Sequence, residues 1–256
     1  MGRGFAMKRA VILICVLVAL GLGSFGLVLR YPHLLPEAFV RLLGGGRDIA
    51  EIRERVTPGL TNALADQGLA LGAPVFIRIF KEEAELELWV RGASGFELFR
   101  SYPICNYSGA LGPKLAEGDR QSPEGFYRVE KSGLNPHSRY HLSFNLGFPN
   151  AFDRAQGRTG SFLMVHGNCV SIGCYAMTDP MIEEIYVLVE AALNAGQRAV
   201  DVHAFPFRMT LARMAQAEGH AAFGFWTGIK PGYDVFEALG EVPFVSVEDG
   251  RYVFSD

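Results

Sequence analysis

Apolar and polar positions change their period along this chain, and each change predicts an element. Residues 10–29, AVILICVLVALGLGSFGLVL, carry no charge, and Arg3, Lys8 and Arg9 precede them. An uncharged run of ~20 residues matches the hydrocarbon thickness of a bilayer. Positive charge ahead of it predicts a cytoplasmic N-terminus and export of everything after Arg30. The run is long for a signal peptide and no Ala-x-Ala follows it. Residues 1–30 are therefore expected to stay as an inner-membrane anchor, with a cleaved signal peptide as the alternative. Residues 31–73 form a helical linker by pattern: Ile49, Ile52 and Val56 keep helical spacing until Thr57-Pro58-Gly59 interrupts it.

From Pro74 the period becomes two. Val75, Ile77 and Ile79 share one face, as do Leu86, Leu88 and Val90, so residues 74–104 read as two or three antiparallel strands. Residues 105–125 are loop by composition, and short strands follow at GFYRV, HLSFNL and SFLMVH. The clearest helix runs from about 179 to 195. Thr178 or Asp179 caps it, Pro180 lies in its first turn, and Glu183 and Glu184 suit its positive end. Ile182, Ile185, Tyr186, Val189, Ala192 and Leu193 make its buried stripe. RAVDVHAFPF is the next strand, helical stretches follow near 208–218 and 233–239, and VPFVSV and RYVFS form a terminal pair joined through Asp249-Gly250. The fold class expected is mostly β with packed helices, an α+β chain.

Composition narrows the function. The chain has 256 residues, 49% apolar and 20% charged, enough for a packed core. Its net charge of −3 becomes −7 over residues 31–256, once the four cations of residues 1–30 are set aside. An anionic body lacks the basic face that nucleic-acid binding requires, so no nucleic-acid partner is expected.

The reactive cluster is His166-Gly-Asn-Cys169-Val-Ser171-Ile-Gly173-Cys174, between a strand and the strong helix. A thiol attacks a carbonyl as its thiolate, an imidazole can take the proton, and a helix N-terminus stabilises the charge. Gly173 removes a side chain beside the sulfur, and the N–H groups of Gly173 and Cys174 are candidate oxyanion donors. Other readings stay open on spacing alone. Cys174 is an inert buried thiol in one. In another, His166, Cys169, Cys174 and His203 hold a metal, although zinc sites show tighter paired spacings. In a third, cysteines pair in an oxidising compartment; with Cys15 inside the apolar span, three remain, and a Cys105–Cys169 bridge would free Cys174.

The stretch VHGNCVSIGCYAMTD resembles the signature of YkuD-type L,D-transpeptidases, a His-Gly followed by [Ser/Thr]-x-Gly-Cys. It resembles the YafK-like branch more closely, as do CNYSGALGPKLAEGDRQSPEGFY, HLSFNLGFPN, the IEEIY helix, FPFRMT and KPGYDVFE, in order from about residue 74 to 254. The resemblance implies that residues 74–256 are a YkuD-like β-sandwich catalytic domain, acylated by a peptidoglycan stem peptide. It places Cys174 at the nucleophile position, His166 at the general base, and Ser171 and Gly173 at the turn and oxyanion positions. It implies periplasmic work with no metal or organic cofactor. The acyl acceptor is an amine, giving transpeptidation, or water, giving hydrolysis that trims stems or releases a peptidoglycan-linked lipoprotein. A non-catalytic peptidoglycan-binding module is the alternative of another class.

The sequence departs from the family at two positions. A histidine usual before the Gly-Cys is Ile172, and an arginine usual two residues after the cysteine is Ala176. Losing that arginine removes a guanidinium able to hold a substrate carboxylate. Arg208 is the candidate replacement, against a plain surface arginine. Tyr107, Lys114 and Tyr175 are the other candidate substrate-binding residues, solvated loop positions being the default for the first two. Ser122-Pro-Glu-Gly is read as a structural turn, and His203 as a core histidine in preference to a second base.

Overall fold

A computed structural model describes residues 48–255. The apolar span 10–29 and the first part of the 31–73 segment lie outside the described residues. Among the described residues no helix is long and apolar enough to cross a membrane.

Helix α1 (Ile49–Ala65) starts at Asp48, whose side chain accepts the Ala50 N–H at 2.9 Å. The expected break at Thr57-Pro58-Gly59 does not occur, and the helix runs through Pro58. Interior proline costs a helix bond. Burial of Ile49 and Ile52 before it and Leu60 and Leu64 after it outweighs that local cost. Arg53 grips Glu190 with two hydrogen bonds of 2.6 Å, and Arg55 reaches Glu183 at 2.7 Å.

Strands β1 (Val75–Phe80), β2 (Glu85–Arg91), β3 (Phe96–Pro103), β4 (Asn106–Tyr107), β5 (Gly125–Glu130), β6 (Leu134–Asn135) and β7 (Ser143–Asn145) follow. After the short α2 (Ala151–Ala155) come β8 (Met164–His166), β9 (Tyr175–Ala176), α3 (Asp179–Asn194), β10 (Ala199–Phe205), α4 (Leu211–Gln216), α5 (Phe223–Leu239), β11 (Phe244–Glu248) and β12 (Arg251–Ser255). One five-stranded sheet has the order β3-β2-β1-β10-β5, another the order β4-β9-β8-β7-β6, and β11-β12 is a hairpin. Helices hold about as many residues as strands, so the chain is mixed α/β and not mostly β.

Strand β1 explains the layering. Val75, Ile77 and Ile79 join one core with β2, with α3 and with Phe144, Val165 and Tyr175 of the second sheet. Phe76, Arg78 and Phe80 point the other way and are buried too, Phe76 against Phe236 and Phe80 against Tyr233 of α5. The expected helix at 233–239 is the C-terminal part of this 17-residue helix, whose Pro231 and glycines hid the rest from the pattern. Gly232 is required there: a Cβ would stand 2.7 Å from the Phe126 ring, so only glycine lets α5 lie on β5. The stripe predicted for α3 is buried throughout, and Thr178 is its N-cap. Glu183 and Glu184 do not serve its positive end; they pair with Arg55 and Arg100. In the terminal hairpin Asp249 and Gly250 both have positive φ, as a tight two-residue turn demands.

Candidate functional site

Strands β8 and β9 run parallel, with Val165 opposite Tyr175 and His166 opposite Ala176. This register sets Cys174 across from Met164, whose N–H donates to Cys174 Sγ at 3.4 Å. Alternation along a strand then sends Val165 and Tyr175 into the core and turns Cys174 and His166 to the same opposite face. The two are diagonal neighbours on adjacent strands, a spacing an imidazole can bridge.

The His166 ring is buried and held from two sides. Nδ1 lies 2.6 Å from the Gly167 carbonyl, to which it donates, and the Tyr140 ring lies 4.6 Å away. A proton on Nδ1 leaves the Nε2 lone pair bare, the tautomer a general base needs. Burial pushes the imidazole pKa below its ordinary value, and the Gly167 carbonyl opposes this. Cys174 is a free thiol. Burial raises its pKa, opposed by the Met164 N–H and the charge of Lys114. The resting site is therefore a neutral thiol beside a neutral imidazole.

Three serines brace the turn under the sulfur. The Cys174 carbonyl accepts from Ser171 Oγ and from Ser122 Oγ, both at 2.8 Å. Ser108 closes the ring, with its N–H on Ser122 Oγ and its Oγ 2.7 Å from Ser171 Oγ. Gly173 has φ 140, a left-handed conformation that side chains disfavour. Its N–H donates to Ser171 Oγ at 3.2 Å. That N–H is thus committed to the turn and not to an oxyanion, leaving Cys174 N–H of the expected pair. Asp179 at the start of α3 accepts the Asn168 N–H at 2.8 Å and so ties the loop to the helix, while Sγ meets the Met164 N–H and the Phe162 carbonyl.

The loop between His166 and Cys174 is tied down by a Cys105–Cys169 disulfide, with Cα atoms 5.3 Å apart and a sequence separation of 64. The bridge settles the open pairing and leaves Cys174 free. Closing a loop of this length stabilises by about 2–4 kcal/mol. Urea unfolding with and without dithiothreitol is expected to show that loss, and the Cys105→Ser/Cys169→Ser variant should show it without reductant. Coincident curves would refute it.

Other candidates fall elsewhere. Tyr175 is fully buried and its hydroxyl donates to the Pro123 carbonyl at 2.6 Å, so it packs the core and lines no groove. Arg208 lies on the first sheet, bound at 2.7 Å to both Glu85 and Glu87, which rules out a free guanidinium there. Tyr107 is half-buried on β4 beside Tyr175. Lys114 is not a solvated loop residue; it is buried and paired with Asp119. His203 is a core histidine between Phe76 and Phe126, driven well below its ordinary pKa by burial and by Arg78. The set His166, Cys169, Cys174 and His203 is not assembled as metal ligands, because Cys169 is in the disulfide and His203 is in the first sheet's aromatic core.

Sequence reasoning missed Ser108, Ser122 as a hydroxyl donor, and Tyr140. It also missed the buried Lys81–Glu124 pair that holds the 105–125 loop. The only signal was that loop's density of Gly, Ser and Pro, which marks a turn without saying which hydroxyls turn inward.

Comparison with known proteins completes the picture. The chain is 53% identical over 185 residues to YafK of Escherichia coli strain K12, covering 72% of this chain and 75% of that one, and equally to YafK of Escherichia coli O157:H7. Among solved structures, the helical cell shape determining protein Pgp2 from Campylobacter jejuni is 17% identical, with a TM-score of 0.43 and coverage of 74% of this chain and 80% of that chain. The model of the YkuD family, the L,D-transpeptidase catalytic domain, matches residues 74–202, which contain the whole His166–Cys174 cluster, and the chain belongs to that family.

Proposed function

We propose that this protein is a cell-envelope cysteine acyltransferase acting on peptidoglycan stem peptides. One observation carries the reading: a free thiol and an imidazole with a bare Nε2 share one face of adjacent strands. His166 Nε2 takes the Cys174 proton as the thiolate attacks the carbonyl of the third stem residue, next to the diaminopimelate α-carbon. The Cys174 N–H faces the developing oxyanion. The C–N bond then breaks, His166 returns its proton to the departing terminal D-alanine, and a thioester remains. An amine acceptor resolves it by transpeptidation. Hydrolysis is the second reading, which would trim stems or release a linked lipoprotein. The disulfide and the apolar span 10–29 support work on the periplasmic side of the inner membrane.

Intact-mass measurement of the full chain in mild detergent, incubated with disaccharide-tetrapeptide, is expected to show a transient thioester adduct. The released products then separate transfer from hydrolysis. If neither adduct nor product forms from that substrate or from lipoprotein-linked muropeptide, a non-catalytic peptidoglycan-binding module replaces this reading.

A further inference from the structure

The family's arginine after the cysteine is Ala176 here, and Arg208 spends its guanidinium on Glu85 and Glu87. A different cation lies under the loop that reaches the thiol. Lys114 is 4% exposed; its ammonium donates to the Ala116 carbonyl at 2.9 Å and pairs with Asp119. Asp119 also accepts the N–H groups of Leu115, Ala116 and Gln121, so its carboxylate is shared among several donors. An ammonium has three N–H groups, and these two bonds leave one over among the described residues.

The Lys114 stem crosses Gly160 so closely that a Cβ there would stand 2.7 Å from Lys114 Cε. Two residues on, the Phe162 carbonyl meets Cys174 Sγ at 3.7 Å. The ammonium therefore sits at the base of the loop that touches the sulfur. Its charge reaches the thiol without being one of the sulfur's hydrogen-bond partners. In a peptide attacked at its penultimate carbonyl, the terminal carboxylate lies three bonds beyond the attacked carbon, and a cation set back from the sulfur meets it.

Resting on the acyl-transfer reading above, we propose that Lys114 is a specificity-determining residue that binds the terminal carboxylate of the acyl donor. It favours donor stems that end in a free carboxylate. No bond forms or breaks at Lys114, and the leaving amino acid departs with its carboxylate intact. Glu117 and Asp119 border the same spot. Without the ammonium they would repel a carboxylate instead of leaving the spot neutral.

The test compares acylation of the full chain by a tetrapeptide donor ending in D-alanine and by the same donor ending in D-alaninamide. Wild type is expected to prefer the carboxylate by about 10- to 100-fold in kcat/KM, the range of one hydrogen bond between charged partners. Lys114→Met should lose more on the carboxylate donor than on the amide by about that factor, mainly in KM, and Lys114→Arg should keep part of the preference. Equal losses on both donors, or no preference in wild type, would overturn the inference while leaving the enzyme reading in place. Acylation of wild type by neither donor would overturn both.

Discussion

Cys174→Ser is expected to fold as wild type does and to turn over on the order of 10⁴- to 10⁶-fold more slowly, and His166→Ala about 10²- to 10⁴-fold more slowly. The reason lies in the resting state. Burial raises the Cys174 pKa and lowers that of His166, so neither group is ionised at neutral pH, and the thiolate exists only when Nε2 receives its proton. Because the two act as one unit, the double variant should be no slower than Cys174→Ser alone. The pH profile follows with a definite sign. His166 must be neutral, and its pKa lies below the ordinary 6.5, so the acid limb of kcat/KM falls below pH 6.5. The alkaline limb belongs to the thiol and lies above 9.0, its ordinary value. Steady-state rates from pH 5 to 10 check this. An acid limb above pH 7 would mean that a different group supplies the base, and additive losses in the double variant would mean that the two do not cooperate.

Lys81→Met is expected to cost about 3–5 kcal/mol of folding stability, the penalty for leaving one member of a buried ion pair alone. Lys81 and Glu124 are both fully buried and 3.0 Å apart. The ammonium donates to the carbonyls of Ala110, Gly112 and Ser122, and the carboxylate accepts from Gly112 N–H and Trp226 Nε1. Every strong donor and acceptor of the pair is thus spent on the 105–125 loop or on α5, which is how a Gly/Pro-rich segment stays rigid. Burial pulls the Lys81 pKa down, and Glu124 opposes it. Removing the lysine strands the carboxylate, while adding Glu124→Gln relieves that charge, so the double variant should lose less than the sum of the singles. Urea unfolding measures both, and a loss under about 1 kcal/mol for Lys81→Met would refute the pair's role. The same variant should slow turnover even where it remains folded, because the Ser122 carbonyl anchored by Lys81 carries the serine that donates to Cys174 O.

Local periodicity and turn chemistry belong to the sequence because they depend on neighbours a few residues apart. The alternation of Val75, Ile77 and Ile79, the stripe and cap of α3 and the Asp249-Gly250 hairpin were all legible for that reason. Proline and glycine misled where tertiary burial overrode propensity. Pro58 does not break α1, because apolar residues on both sides of it are buried, and Pro231 does not break α5, because that helix packs on the aromatic face of β1 and β10. Charges were legible as residues and opaque as partners. Arg208 and Lys114 look alike in a loop, yet one is consumed by Glu85 and Glu87 and the other is buried and paired with Asp119. The sequence by itself determined which atoms can react, since a thiol, an imidazole and a glycine at the turn are fixed by residue type. The tertiary structure alone decided how they are tuned. The Ser122 hydroxyl on the Cys174 carbonyl, the Tyr140 ring on His166 and the Lys114 charge that opposes the rise in the thiol pKa come from segments far from β8 and β9 in the chain, which only sheet pairing and a buried ion pair bring together.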